Sequence, residues 1–466
     1  MADDYKNFLA SKEIHVKSHG FEVKEDKINP KLFPFQNAII RVALRKGRYD
    51  VFAACGLGKA PMALEIGTQI LRRENKPILM LTPLAVSYQM MIEAEKFGYD
   101  AQIISEQSQA KKTINIINYG KLHKIDPKEY VCVLCDESSI MKSMNGATKQ
   151  VLINSFNQTP YRFGFTATPA PNDYMELGNQ AEFLSIMRRV EMLATFFTHD
   201  GGDTAQWSLR GHARKAFWRW LAGWSCMIRK PGDIGFSNAG YDLPPINLVR
   251  HIIDTGDDPL PGWLIPMPAK TIKDQRAVKR KTIEERVSKV KEIVKQTEDR
   301  PFVVWCELND EGDMLEKELG WEQIAGKDED EEKERKLIAF TKGEIRGVIS
   351  KSKITGYGMN WFHCADTCFM SVSHSHEMLY QAISRFHRFG QKRQVNVHQI
   401  LVDKEILVLE NLERKEKQSD AMALGIIEHM AEMMKAEMGK ATRQKDEYAP
   451  KVTMVLPEWV KSESTH

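Results

Sequence analysis

The stretch Phe52 to Gly67, FAACGLGKAPMALEIG, sets two glycines and a lysine at a spacing that could cradle a phosphate. Gly56 and Gly58, on either side of Leu57, permit positive φ, so consecutive backbone N–H groups can point at one anion. Lys59 can reach the outer phosphates of a nucleotide, and the helix that follows adds partial positive charge. The loop departs from the formula G-x-x-x-x-G-K-[ST] twice: Ala53 replaces the first glycine, and Ala60 replaces the hydroxyl residue that ordinarily ligates Mg²⁺. An ordinary tight turn fits the same letters.

Three later clusters bear on the choice. VCVLCDESS places Asp136 and Glu137 at the end of an apolar strand, where Asp136 could hold Mg²⁺ and Glu137 could deprotonate an attacking water. A pair of surface acids at a strand end is the plainer alternative. GFTATPAPND carries Thr166 and Thr168, small hydroxyls able to couple a phosphate site to its surroundings, or a polar turn. YQAISRFHRFGQKRQ sets Arg385 and Arg388 three apart, so on a helix they share a face and could reach a triphosphate held by a neighbouring domain. Viewed alone, the segment reads better as a solvated basic face.

The elements that must position these groups follow from pattern. The chain has 466 residues, which suggests roughly two to four domains. Its apolar fraction of 42% is ample for real cores, and no run of about 18 apolar residues suggests a membrane span. Net charge is only +3, so any nucleic-acid contact must rest on locally concentrated cations. Seven scattered cysteines argue for a reducing compartment, and the C-x-x-C of Cys132 and Cys135 falls on a strand whose alternation sends them to opposite faces. Strands are expected at 51–54, 77–81, 101–105, 114–118, 131–135 and 162–166, alternating with helices, which implies a parallel sheet covered on both faces. Between about 176 and 250 the texture turns helical and aromatic; Phe217, Trp220, Leu221 and Trp224 keep helical spacing and suit a subdomain core better than a base-stacking surface. A single basic amphipathic helix is expected over 268–297, with Ile283, Val287, Val290 and Val294 on one stripe. Strand patterns then resume in PFVVWCE, GVISKS, TCFMSVS and VNVHQILV, a second α/β unit, and a Met-rich helical tail is expected to pack on that second unit.

The order G-x-G-K, D-E, T-A-T-P, then Q-x-x-x-R-x-x-R-x-G-Q resembles the superfamily-two helicases, and more narrowly the Swi/Snf-like DNA translocases, among them phage- and prophage-encoded members. The shared stretches run from LFPFQ to QILV, residues 31–402. The resemblance implies two RecA-like parallel-sheet domains in tandem, with a helical insertion and a helical C-terminal tail. The boundaries expected are an arm at 1–30, a first ATP-binding lobe at 31–178, an insertion and connector at 179–250, a second lobe at 251–410 and a tail at 411–466. It implies that Gln36 reads the adenine, that Gly56, Leu57, Gly58, Lys59 and Ala60 hold phosphates, and that Asp136 holds Mg²⁺ and Glu137 the water. Arg388 becomes the main arginine finger with Arg385 beside it. Gly356, Gly358 and Asn360 are placed near the cleft, with Gly358 at the nucleotide. Thr82, Pro83, Lys142, Lys351 and Lys353 become candidate contacts to DNA. The implied setting is the cytoplasm of a bacterial host, with double-stranded DNA as partner and a DNA methyltransferase or phage replication and recombination proteins as associates. An RNA or single-strand-unwinding helicase shares the same engine, and an ATP-dependent DNA clamp with little hydrolysis is suggested by Ala60. A small-molecule kinase would not need the second unit and its arginine pair.

Overall fold

The computed structural model describes residues 16–142, 147–170, 173–199, 207–254, 272–356, 359–373, 375–405, 408–417, 420 and 423–428. Two all-parallel sheets form two lobes, the tandem RecA-like arrangement expected. The first runs β3-β4-β2-β5-β6-β1-β9 and the second β10-β15-β14-β11-β13-β12. In the first lobe these are β1 Arg48–Ala53, β2 Ile78–Thr82, β3 Ala101–Ile103, β4 Ile114–Asn118, β5 Cys132–Asp136, β6 Tyr161–Thr166 and β9 Ser225–Ile228. The short pair β7 Phe197–His199 and β8 Trp207–Leu209 makes a separate antiparallel ribbon. The second lobe holds β10 Ile246–Ile253, β11 Phe302–Cys306, β12 Glu322–Ile324, β13 Gly347–Lys351, β14 Asp366–Phe369 and β15 Val395–Val402. No described helix is long and apolar enough to cross a membrane.

The central strands are buried on both faces, as crossover helices require. Residues 132–136 and 161–166 are buried throughout. Cys132 and Cys135 lie in that core, and burial pushes both thiols above their ordinary range. The helix Lys59–Glu74 presses Met62, Ile66 and Ile70 onto the sheet with no exposed surface. Each such side chain contributes about 1.5–3 kcal/mol relative to exposure.

Several boundaries differ from the sequence reading, each for a physical reason. Residues 16–30, within the expected N-terminal arm, are bonded to the first lobe. The N–H groups of His19, Gly20 and Phe21 bond to the carbonyls of Lys46, Arg45 and Leu44 at 2.8, 3.2 and 2.9 Å. They satisfy carbonyls that the end of the helix Pro34–Lys46 leaves without intrahelical partners. The segment read as a helical insertion is part of the first lobe. Phe217, Trp220, Leu221 and Trp224 sit in its core, and the four residues after them straighten into β9, paired in parallel with β1. Strand β10 begins before the expected boundary at 251 and pairs along its length with β15. The expected single helix over 268–297 is two, Ile272–Lys281 and Ile283–Gln296. Thr282 Oγ1 donates to Val278 O at 2.9 Å and accepts from Arg286 Nε at 2.9 Å, while Arg286 turns inward to a buried ion pair with Glu405. The tail does not rest on the second lobe alone: Val408 and Leu412 pack there, but Ala423 and Ile426 join the first-lobe core. Residues 429–466 lie outside the described residues.

Asp50, in the middle of β1, is fully enclosed and neither carboxylate oxygen has a side-chain partner. Burial, partly offset by the Gly164 backbone, pushes its pKa up to about 8. The folded state therefore binds a proton that the unfolded chain releases above about pH 4, so stability falls as pH rises from about 4 to 8. Asp50→Asn removes this slope. The melting-temperature gain of the variant over the parent is expected to be larger at pH 8 than at pH 5, and equal gains at both would contradict the assignment.

Candidate nucleotide site at the lobe seam

The neighbours β5, β6 and β1 end together, so the three first-lobe clusters meet at one sheet edge. Phe52 is level with Thr166 and Asp136 with Phe165. The loop after β1 turns at Gly56 and Gly58 with φ of 87° and 78°. Space also demands glycine there. A Cβ on Gly58 would fall 2.2 Å from Gln36 Nε2, and one on Gly56 would meet Arg388 Cβ and Phe389 N at 3.1 Å across the seam. Gly58 caps the helix Lys59–Glu74 without any side-chain cap, leaving first-turn donors for an anion.

Gln36 props this loop. Its Oε1 accepts from Phe33 N and its Nε2 donates to Leu57 O, both at 2.9 Å. Each end keeps one further acceptor or donor position. Lys59 Nζ donates to Ala53 O at 2.9 Å, folded over the loop's own start. Asp136 and Glu137 are buried at 7% and 8% exposure. Burial raises both carboxyls, and Glu137 adds to it for Asp136, which reaches about 7; Lys59 and Arg385 pull both back down. Glu137 has φ 51°, a conformation that costs a non-glycine residue about 1–2 kcal/mol and marks a strained turn. Thr166 Oγ1 donates to its Oε2 at 3.4 Å.

The second lobe supplies the arginines, though not from a helix. The helix His376–Ile383 ends first, and Arg385 and Arg388 occupy the turns that follow. Both guanidinium groups donate to Met359 O, at 3.3 and 3.1 Å, and Arg385 also holds Gln381 O at 3.0 Å. Burial and the neighbouring Arg385 push Arg388 down to about 10. An interlobe cavity of about 200 Å³ is lined from one side by Gln36, Gly56, Gly58, Lys59, Ala60, Asp136 and Glu137 and from the other by Asn360, Arg385 and Arg388. Its rim is aromatic: Phe389 stands 5.7 Å from Phe33 and 5.0 Å from Tyr241, ring centre to ring centre. Tyr241 lies in the connector, and neither it nor Phe389 was singled out from the sequence; an aromatic after the second arginine was the available signal.

The remaining candidates divide. Gly358 lies outside the described residues. Thr82 is wholly buried with its Oγ1 2.8 Å from Ser87 Oγ, so it does not face a ligand. Lys142 is taken up by an ion pair with Glu377. Lys351 Nζ donates to Asn309 Oδ1 at 2.6 Å. Pro83 and Lys353, with Lys121 and Lys333, line a second interlobe cleft of about 400 Å³.

Two domain families match the two lobes. Residues 29–171 match the res subunit of type III restriction enzymes, and residues 285–390 the helicase conserved C-terminal domain. The mouse DNA annealing helicase and endonuclease ZRANB3 is 23% identical over 427 residues, 81% of this chain. The chain spans 39% of that protein's length. Protein p41 of Acyrthosiphon pisum secondary endosymbiont phage 1 is 27% identical over 190 residues, covering 35% of this chain and 41% of its own. Among solved structures, the Sulfolobus solfataricus SWI2/SNF2 ATPase core in complex with dsDNA is 17% identical, covers 90% of this chain and 99% of its own, and has a TM-score of 0.41. The paired lobes and the two domain matches define a helicase-type protein. The domain matches, one to each lobe, agree with the resemblance to superfamily-two, Swi/Snf-like helicases, and the relatives include a phage protein.

Gly58→Ala combines a strained φ with the Gln36 clash, and a cost of about 1–3 kcal/mol is expected in urea unfolding. Adding Gln36→Ala removes the clash partner, so the double variant should lose less than the two single losses together. Strict additivity would show that the two side chains do not meet.

Proposed function

We propose that the chain is an ATP-driven translocase on double-stranded DNA. The observation that carries this reading is the single cavity faced by Lys59 from one lobe and by Arg385 and Arg388 from the other. Loop amides and Lys59 would bind the phosphates. The adenine would lie under the Phe33, Tyr241 and Phe389 rim, where Gln36 has a free donor and acceptor position. Glu137, steadied by Thr166, would orient and deprotonate the attacking water. The arginines would turn from Met359 O to the transferring phosphoryl group while the closed seam excludes water.

Two buried acids with raised pKa, facing Lys59, make a site short of positive charge, and a hard divalent cation fits that donor set. Asp136 would hold Mg²⁺, which when bound neutralises charge on the phosphate oxygens. Ala60 withholds the hydroxyl ligand, so the chain's own hold on the ion is weaker than in the usual loop.

The cleft between Pro83 and Lys353 is the proposed DNA path, gripping backbone phosphates without reading sequence. Alternate opening and closing of lobes that hold the backbone separately would move the protein along the duplex. The phage relative supports a phage setting; a role in phage DNA replication, recombination or modification within a bacterial host's cytoplasm, beside a DNA methyltransferase or recombination partner, is part of the proposal and rests on the family resemblance alone.

Phosphate release measured with duplex DNA, single strands and RNA in parallel tests the substrate class. Duplex DNA should stimulate most, and equal or greater stimulation by RNA or single strands would favour an unwinding helicase. Arg388→Ala should lower the stimulated rate by about 10³-fold or more, as loss of an arginine finger does; an unchanged rate would remove the two-lobe mechanism. Ala60→Thr should raise the stimulated rate several-fold. ATP-dependent DNA binding with no phosphate release from the parent, restored by Ala60→Thr, would instead support a clamp.

A further inference from the structure

One buried acid of the second lobe makes both of its described side-chain contacts to the first. Glu377 opens the helix His376–Ile383 and is 4% exposed. Its Oε1 accepts from Thr168 Oγ1 at 3.2 Å, and its Oε2 is paired with Lys142 Nζ. A buried carboxylate is tolerated only when paired and hydrogen-bonded. Here the two side-chain partners described both come from the opposite lobe, so separating the lobes strips Glu377 of both.

The contact is wired into the seam on each side. Thr168 N donates to Thr166 Oγ1 at 3.1 Å, and Thr166 Oγ1 donates to Glu137. Lys142 ends the 3₁₀ turn Ser138–Lys142, which begins one residue after Glu137, and Asn179 Nδ2 holds the carbonyls of Met141 and Lys142 at 2.8 and 3.3 Å. On the second-lobe side, Gln381 stands one turn along the same helix. Its Oε1 accepts from Cys55 Sγ of the phosphate loop at 3.5 Å and from Arg385 Nη2 at 3.2 Å. Glu377, Gln381 and Arg385 therefore form one edge, spaced four apart, laid against the threonine pair, the glycine loop and the cavity in turn.

We propose that Glu377 is a positioning residue that locks this edge in register, so that the arginines arrive aligned with the groups around Glu137. Its effect on hydrolysis rests on the helicase reading above; the lobe-to-lobe contact itself does not. The ion pair has little to offer as raw stability, because closing the seam desolvates the Glu377 carboxylate while Lys142 stays partly in water. Its value is alignment, where a displacement of about 1 Å costs about 10²-fold in rate.

The test is a charge swap: Glu377→Lys, Lys142→Glu and the two combined. Readouts are stimulated kcat, Kd for a fluorescent ATP analogue, and the radius of gyration by small-angle scattering without nucleotide. Each single swap should lower kcat by about 10- to 100-fold, leave Kd within about threefold and expand the molecule. The double swap should recover compactness and most of kcat. Single variants with parental kcat and parental scattering, or a double variant no better than the worse single, would overturn the proposal. Should the parent hydrolyse nothing on any nucleic acid, the helicase reading fails and scattering alone still decides: expanded singles with a compact double uphold the contact. Glu377→Gln, which keeps the shape and the Thr168 contact, covers misfolding of the swaps; a folded Glu377→Gln protein with the parental kcat and scattering would overturn the proposal as well.

Discussion

Asp136 and Glu137 are two carboxyls packed into the end of one strand, and the positive charge that moderates them comes from two places: Lys59 on their own lobe and Arg385 on the other. This division of charge governs the seam. Carboxyls taken out of water resist ionising until opposite charge approaches. The first lobe alone provides one lysine, and that lysine is folded onto the carbonyl of Ala53. The second lobe's arginines rest on the carbonyl of Met359. Lysine and arginines are thus held on neutral carbonyls at the edge of the cavity, close enough to be redirected to an anion that enters it.

Crowding at the seam limits what the loop can be made of. A side chain on Gly56 would crowd Arg388 and Phe389, one on Gly58 would displace the Gln36 amide, and both positions carry a positive φ that strains other residues. Glu137 is held in a conformation unfavourable for its type. The C-terminal segment adds a further tie: Leu412 packs on the second lobe, Ile426 on the first, and Asp420 pairs with Arg229 at 2.6 Å. Contacts through Glu377, Gln381, the aromatic rim and this segment show that the lobes meet through many small interactions, which suits surfaces that separate and rejoin.

Much of this was legible in the chain. Strands such as 114–118 and 131–135 announce themselves as short apolar runs, and the glycine loop with its following stripe of Met62, Ile66 and Ile70 fixes strand, turn and helix locally. What escaped depends on partners distant in sequence. The strand β9 follows an aromatic helix without a break in pattern, and only pairing with β1 makes it a strand. The break at Thr282 falls where Arg286, bonded to the Thr282 hydroxyl, also pairs with Glu405, far along the chain. The helix before the arginines stops at Ile383 although the letters continue in helical register. Among the cations expected on DNA, Lys142 and Lys351 have protein partners, and no spacing rule reveals that Glu377 and Asn309 wait for them. Thr82 ends an interior strand, so a hydroxyl expected at a ligand meets Ser87 instead.

The central claim is that a nucleotide is gripped from both lobes at once, and a crystal structure with ADP, aluminium fluoride and Mg²⁺ tests it most directly. The account predicts Lys59 Nζ on phosphate oxygens and at least one of Arg385 and Arg388 turned from Met359 O to within hydrogen-bonding distance of the fluoride group. A nucleotide held by the first lobe alone, with both arginines still on Met359 O, would contradict it.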